Sequence, residues 1–126
     1  MRIELVGLHV SPELVTAMLE ALTRANQLEM RDAAAAGVPL PWLYDAGVRY
    51  VRERRGAERW QPSSRLRRRR KGDCEDLTAD VAAWLREYGG EPHARAFAVQ
   101  VGPTTIHCLV EREDGSVMDP SRDLGM

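Results

Sequence analysis

The sequence predicts an α+β fold in which a helix that carries a cysteine packs against an antiparallel β-meander. Two stretches with apolar residues at helical spacing come first, and three short strand-like stretches joined by turns follow. Helices followed by consecutive hairpin-connected strands are typical of α+β folds and not of alternating βαβ folds. The chain has 126 residues, of which 44% are apolar, so we expect one domain, residues 1–126, with its own core.

The N-terminal part, residues 1–37, is predicted to contain a strand at residues 2–10 and then a long helix. Ser11 is a suitable N-cap, Pro12 suits the first helical position, and Gly37 is a suitable stop. The apolar residues at helical spacing, which we expect to form the buried face, are Leu14, Met18, Ala21, Leu22, Ala25 and Leu28.

Residues 38–71 are predicted to be irregular, with one helical turn or short strand near residues 48–51, because proline and glycine recur there. Residues 49–71 hold eleven cations and two acids, although the whole chain has a net charge of −1. The five consecutive cations are predicted to form an exposed, mobile loop, because like charges repel. They are Arg67, Arg68, Arg69, Arg70 and Lys71. They are candidate contacts for an acidic partner or for phosphates, whereas the overall charge argues against a general nucleic-acid binder.

The second helix is predicted to begin after Asp73, a plausible N-cap, and to end at the glycines at positions 89 and 90. Asp76 falls at the third helical position, where an acid interacts favourably with the helix dipole. Its apolar stripe consists of Leu77, Val81, Trp84, Leu85 and Tyr88. Three strands are predicted after it, at residues 93–101, 104–112 and 116–120.

Cys74 would be the first residue inside the second helix, on the face that packs against the strands. The unpaired backbone N–H groups, the helix dipole and the upstream cations all favour a thiolate there, so Cys74 is a candidate nucleophile with a lowered pKa. The alternative is a small apolar side chain that fills the helix–sheet interface.

His107 and Asp119 are the candidate partners of Cys74. Side-chain alternation puts His107 and Cys108 on opposite faces of the middle strand, so we expect Cys108 in the core and no disulfide to Cys74 if His107 faces the helix. Asp119, at the end of the next strand, could fix the tautomer of His107 and stabilise its imidazolium. The alternatives are a core histidine and a turn aspartate before proline.

The stretch "GDCEDLTADVAAWLREYGGEPHARAFAV" resembles the transglutaminase-like superfamily. Its members carry a G-D-C-x-D/E helix start, then a histidine strand and an aspartate strand in a papain-like arrangement. The matching residues are Gly72, Asp73, Cys74, His107 and Asp119. The stretches "AGVRYVRE", "GDCEDL" and "DGSVMDPSRDLGM" also resemble a small family encoded among bacteriophage structural and assembly genes. The resemblance extends from Tyr44 to the end of the chain.

This resemblance implies a papain-like, transglutaminase-type fold with its catalytic-type core at residues 72–126. It also implies acyl-transfer chemistry, in which Cys74 attacks an amide, His107 acts as base and then acid, and Asp119 orients His107. The acyl group then passes to water or to an amine. Candidate oxyanion donors are Trp60, Gln61, Tyr50 and Trp42, together with the backbone N–H of Cys74. The superfamily also contains binding and degenerate members.

Three other functions were weighed. The first is a non-catalytic phage assembly or interaction protein with a vestigial site, and the second is nucleic-acid binding through residues 67–71. The third is a zinc site, which we do not expect because the spacing is wrong and adjacent strand residues diverge; its donors would be Cys74, His93, His107 and Cys108. We expect no cofactor, no metal and no membrane contact, a protein or peptide substrate, and a location in the bacterial cytoplasm or the virion.

Overall fold

The computed structural model describes residues 11–52 and 60–126, so the predicted strand at residues 2–10 lies outside the described residues. The described chain contains four α-helices and five strands. In chain order these are α1 (Pro12–Ala35), β1 (Arg49–Tyr50), α2 (Ser63–Arg69), β2 (Lys71–Gly72), α3 (Cys74–Glu87), β3 (Arg95–Gln100), β4 (Ile106–Glu111), β5 (Val117–Met118) and α4 (Pro120–Asp123), with a short 3₁₀ helix at Leu43–Asp45 before β1. The mixed α+β character predicted from the sequence is confirmed.

The C-terminal strands form the predicted antiparallel meander, in the order β3-β4-β5. Within it Cys108 pairs with Ala98, and His107 pairs with Val99. A second sheet was not predicted: β1 and β2 pair in parallel, with Tyr50 opposite Gly72. Two-residue strands carry no alternating pattern, so only the tertiary structure reveals this pairing.

Helix α1 begins as predicted, since the Ser11 side chain accepts a hydrogen bond from the Leu14 N–H at 3.1 Å. Its predicted buried face is only partly right, because Leu22 is buried but Leu14 and Leu28 are 53% and 60% exposed. The buried residues are Val15, Leu19, Leu22, Thr23, Asn26 and Met30. Two polar residues, Thr23 and Asn26, belong to this buried face, so apolar residues at helical spacing do not mark it in the sequence. The Thr23 hydroxyl donates to the Leu19 carbonyl, and the Asn26 side chain accepts from the Ser63 N–H.

The predicted mobile loop at residues 67–71 is instead the end of α2 followed by β2. Leu66 is fully buried, and the Arg67 side chain is only 9% exposed because its guanidinium binds the fully buried Asp80 carboxylate. Arg70 ends the helix in the left-handed conformation with φ of 56°. The other four cations of the run are exposed, as predicted.

Helix α3 is the central helix and packs against α1, β3 and β4, while α1 also packs directly against β3. The predicted N-cap of α3 is present, because Asp73 caps the helix and forms a reciprocal capping box with Asp76. The buried apolar side chains of α1, α3 and the meander form a core cluster. The described helices include none whose length and apolar character would let it cross a lipid bilayer.

Candidate active site

Cys74 is positioned by a tightly packed junction between β2 and α3. A Cβ atom added at Gly72 would lie 2.5 Å from Leu66 Cδ1 and 3.1 Å from Asp76 Cβ, so only glycine fits there without a shift. Asp73 then caps the helix, with its Oδ1 accepting the Cys74 N–H at 2.7 Å. The first turn of α3, which carries the Cys74 thiol, is therefore fixed by the close packing at Gly72 and by the Asp73 cap.

The Asp76 carboxylate extends this junction to the segment before α2. It accepts the backbone N–H of Gln61 at 2.6 Å, the Gln61 side-chain amide at 3.0 Å and the Asp73 N–H at 3.2 Å. Gln61 is 1% exposed, and its amide also donates to the Lys71 carbonyl. Its role in the structure is to support the start of α3.

His107 and Asp119 lie in direct contact, as the sequence predicts. The His107 Nε2 atom is 3.0 Å from both carboxylate oxygens of Asp119. Asp119 also caps α4, where its Oδ1 accepts the Arg122 N–H at 3.3 Å, so this carboxylate is fixed by the turn after β5. Because Nε2 is engaged by Asp119, Nδ1 is the ring nitrogen left for a second partner.

Cys74, which is 7% exposed, is the group that acts most strongly on the pKa of His107. The fully buried Cys108 lies beside Cys74, with its Sγ atom within 4.8 Å of the Cys74 Sγ atom. The prediction that Cys108 is core is confirmed, and both cysteines are free thiols. Alternation along β4 gives His107 and Cys108 different burial, but it does not keep Cys108 away from Cys74.

The Cys108 neighbour changes the ionisation of Cys74. The hydrogen bond with Cys108 and then burial raise the pKa of Cys74 well above its ordinary value, while the hydrogen bond with His107 acts in the opposite direction. The predicted lowering of the Cys74 pKa is therefore not found. The helix start and the upstream cations, which were expected to lower this pKa, are outweighed by the Cys108 thiol of β4.

The pKa of His107 is raised to about 9, chiefly by the hydrogen bond with Cys74, then by Asp119, against the effect of burial. Such a hydrogen bond, in which the imidazolium N–H donates to the sulfur, raises this pKa only while the sulfur is a thiolate. When Cys74 is a thiol, the largest stabilisation of the imidazolium is absent, and the ring can accept the Cys74 proton.

Of the candidate oxyanion donors, Tyr50 is the one whose surroundings match the site. Burial, and then the charges of Asp73, Cys74 and Glu75, raise the pKa of Tyr50 to about 12, so its hydroxyl is protonated; Tyr50 pairs with Gly72, two residues before Cys74. The side-chain amide of Gln61 and the N–H of Cys74 are already donated to carboxylates, which removes both as free donors.

The two tryptophan candidates lie in other surroundings. Trp60 is buried in the core cluster. The Trp42 ring packs 4.8 Å from Trp84, ten residues after Cys74 along α3, which corresponds to about 15 Å of helix. A shallow groove beside these rings, lined also by Pro41, Asp45 and Glu91, lies at that far end of α3 and not at the thiol.

A metal-donor set that the sequence did not suggest occurs at the same place. The Sγ atoms of Cys74 and Cys108 and a carboxylate oxygen of Glu75 all lie within 4.8 Å of one another. His93, considered for zinc from the sequence, is 83% exposed and near Glu113 instead. The sequence separation of Cys74 and Cys108 does not indicate that the two side chains lie close together, because their approach depends on how α3 packs against β4.

A scan against protein-family models found no match to this chain, and searches of curated proteins and of solved structures found none either. The geometry of Cys74, His107 and Asp119 is therefore the observation on which a functional assignment depends.

Proposed function

We propose that this chain is a cysteine-dependent amide hydrolase or acyltransferase with a papain-like, transglutaminase-type site. The observation that carries the proposal is His107, whose ring joins the Cys74 thiol to both oxygens of Asp119. A thiol, a base within its reach and a carboxylate that orients the base are the three groups that covalent acyl transfer requires.

The first half of the reaction forms an acyl-enzyme. The Cys74 sulfur attacks the carbonyl carbon of an amide as His107 Nδ1 takes the thiol proton, and the carbonyl π electrons move to oxygen. The tetrahedral intermediate then collapses, the C–N bond breaks, and His107 returns the proton to the leaving amine. Asp119 keeps the ring oriented through Nε2 in both steps.

The second half releases the acyl group. Water or another amine loses a proton to His107 and attacks the thioester carbon; the C–S bond then breaks, and His107 returns the proton to the Cys74 sulfur. The Tyr50 hydroxyl, which is protonated and belongs to the residue paired with Gly72, is the donor best placed to stabilise the oxyanion in either half. Based on the sequence resemblance, the acyl donor is a protein or peptide, and phage structural proteins in the host cell or virion are the first candidates.

A single-turnover acylation experiment tests this proposal. The reduced protein is mixed with p-nitrophenyl acetate, and intact-mass and peptide mass spectrometry locate the acetyl group. We expect one transient acetyl group on Cys74, its loss in Cys74→Ala, and its retention in the matched variant Cys108→Ala. Acetylation confined to lysines, or equal in the wild type and Cys74→Ala, would reject a nucleophilic Cys74.

The alternative proposal is a non-catalytic phage assembly or interaction protein with a vestigial site. It is favoured by the 7% exposure of Cys74 and by the Cys74 N–H, which is bound to Asp73 and not free for an oxyanion. The same experiment separates the two proposals, because a vestigial site gives a folded protein without an acetyl-Cys74 species.

A further inference from the structure

The three donor atoms of Cys74, Glu75 and Cys108 are close enough to share one ion. They lie within 4.8 Å of one another. In a tetrahedral zinc site with Zn–S of about 2.3 Å and Zn–O of about 2.1 Å, ligand atoms are about 3.5–3.8 Å apart. Rotamer adjustments on the order of 1 Å would bring these atoms to that spacing.

The elements that carry the donors are fixed independently of any ion. Cys74 and Glu75 lie in the first turn of α3, which is held by the Asp73–Asp76 capping box. Cys108 lies in the middle strand of the meander and pairs with Ala98. A metal would therefore meet donors from a capped helix and a central strand, and not from a loop that must first be ordered.

The chemistry of the donors selects the ion. Two cysteine sulfurs with one carboxylate suit Zn²⁺, whereas Mg²⁺ and Ca²⁺ prefer sites made of oxygen atoms. Cys74 and Cys108 are almost completely buried and Glu75 is half-buried, so the open side of the set lies at Glu75, where water can complete the coordination. Three protein ligands with water in the fourth position is a common zinc arrangement.

We propose that Cys74, Cys108 and Glu75 form a zinc site at the start of α3. Binding forms two Zn–S bonds and one Zn–O bond, and the two thiols release two protons to the solvent. The ion occupies the Cys74 lone pair that nucleophilic attack would use, so bound zinc blocks the thiol. The site itself does not depend on the proposed function, whereas inhibition of acyl transfer would.

His107 lies beside this donor set but is not among the three residues whose donor atoms all lie within 4.8 Å of one another. A zinc site and the acyl-transfer arrangement therefore compete only for Cys74. Removal of Cys108 abolishes the zinc site and leaves the Cys74–His107–Asp119 contacts available, which makes the two proposals separable in one variant.

Co²⁺ is the spectroscopic probe for the test, and Zn²⁺ is the competitor. Adding one equivalent of Co²⁺ to the reduced full-length chain should produce a thiolate-to-cobalt charge-transfer absorption, which Zn²⁺ should abolish. Cys108→Ser should lose the absorption, and Glu75→Gln should weaken Co²⁺ binding by about tenfold or more. His93→Ala, the matched control on an exposed histidine, should bind as the wild type does.

Protection from alkylation is the second measurement and needs no variant. Zn²⁺ should slow iodoacetamide labelling of Cys74 in the wild type, and a chelator should restore it. An absent charge-transfer absorption in the wild type would overturn the zinc site, as would an absorption retained in Cys108→Ser whose circular dichroism is native. Failure of acylation at Cys74 with an intact Co²⁺ absorption would reject the proposed function alone.

Discussion

The reactivity of Cys74 depends on two side chains of β4 that contact its sulfur from different positions. His107 lowers the pKa of the thiol, and Cys108 together with burial raises it further than His107 lowers it. In the resting site Cys74 is therefore a thiol, and Cys108 opposes its ionisation.

Replacing Cys108 with alanine should make Cys74 more reactive. The hydrogen bond that contributes most to the raised pKa of Cys74 would be lost, so the thiolate fraction at pH 7 should rise. Iodoacetamide labelling of Cys74, followed by peptide mass spectrometry, should be faster in Cys108→Ala than in the wild type. Labelling in denaturant controls for the reagent, and slower labelling of the folded variant would contradict the role assigned to Cys108.

At the scale of single residues, sequence reasoning found the three groups of the site but not their environment. Cys74, His107 and Asp119 could be selected because a helix start, strand alternation and a turn before proline are local signals. The approach of Cys108 and Glu75 to one another could not be predicted, because it depends on how α3 lies across β4.

Among the elements, α2 depends on one arginine that the sequence places in a solvated run. The Arg67 guanidinium binds Asp80 through both nitrogens, at 2.5 and 3.1 Å, and also donates to the Pro41 carbonyl at 2.6 Å. Burial raises the pKa of Asp80, and Arg67 acts against this shift. The Arg67–Asp80 pair therefore connects α2 to the middle of α3, the helix that begins at Cys74.

Removing Arg67 should destabilise the protein far more than removing the next arginine. Arg67→Ser leaves the Asp80 carboxylate buried without its partner, which typically costs about 3–5 kcal/mol. Arg68→Ser, a matched change at an exposed position of α2, should alter the free energy of unfolding by less than about 0.5 kcal/mol. Urea unfolding at pH 7 measures both, and equal stability of the two variants would contradict a buried Arg67–Asp80 pair.

Helices α1 and α3 are also joined at the surface by Glu20 and Arg86, 2.6 Å apart. The Arg86 hydrogen bond, which outweighs burial, lowers the pKa of Glu20 below 4.5. A lowered carboxylate pKa stabilises the folded state above the unfolded pKa, and this stabilisation is lost as the pH falls through the folded value.

Glu20→Gln should therefore cost stability at neutral pH but not in acid. Because Glu20 is about one-third exposed, the expected loss at pH 7 is about 1 kcal/mol. The difference from the wild type should shrink as the pH falls below 4.5. Urea unfolding at several pH values measures this, with the exposed Asp45→Asn as control, and a difference that stays constant down to acid pH would refute the assignment.

The elements themselves were predictable where their signals are local. The caps of α1 and α3 and the three meander strands follow from residues within a few positions of each boundary. The buried face of α1 could not be predicted, because Thr23 and Asn26 belong to it only through bonds to Leu19 and Ser63. The parallel β1–β2 pair and α4 are too short to have a periodic signal.

In the molecule as a whole, the site lies where three parts of the chain meet. Helix α3 supplies Cys74, β4 supplies His107, and the turn before α4 supplies Asp119. The chain order of these parts was evident from the sequence, whereas the contacts between them depend on the packing of α3 against α1 and the meander. The central claim is that this packing makes His107 the base for Cys74.

The rate of Cys74 acetylation by p-nitrophenyl acetate in three proteins tests that claim most directly: the wild type, His107→Ala and His93→Ala. If His107 accepts the Cys74 proton, His107→Ala should acetylate Cys74 about 10²-fold more slowly or worse, while the exposed His93→Ala should match the wild type. An unchanged rate in a folded His107→Ala would contradict the claim.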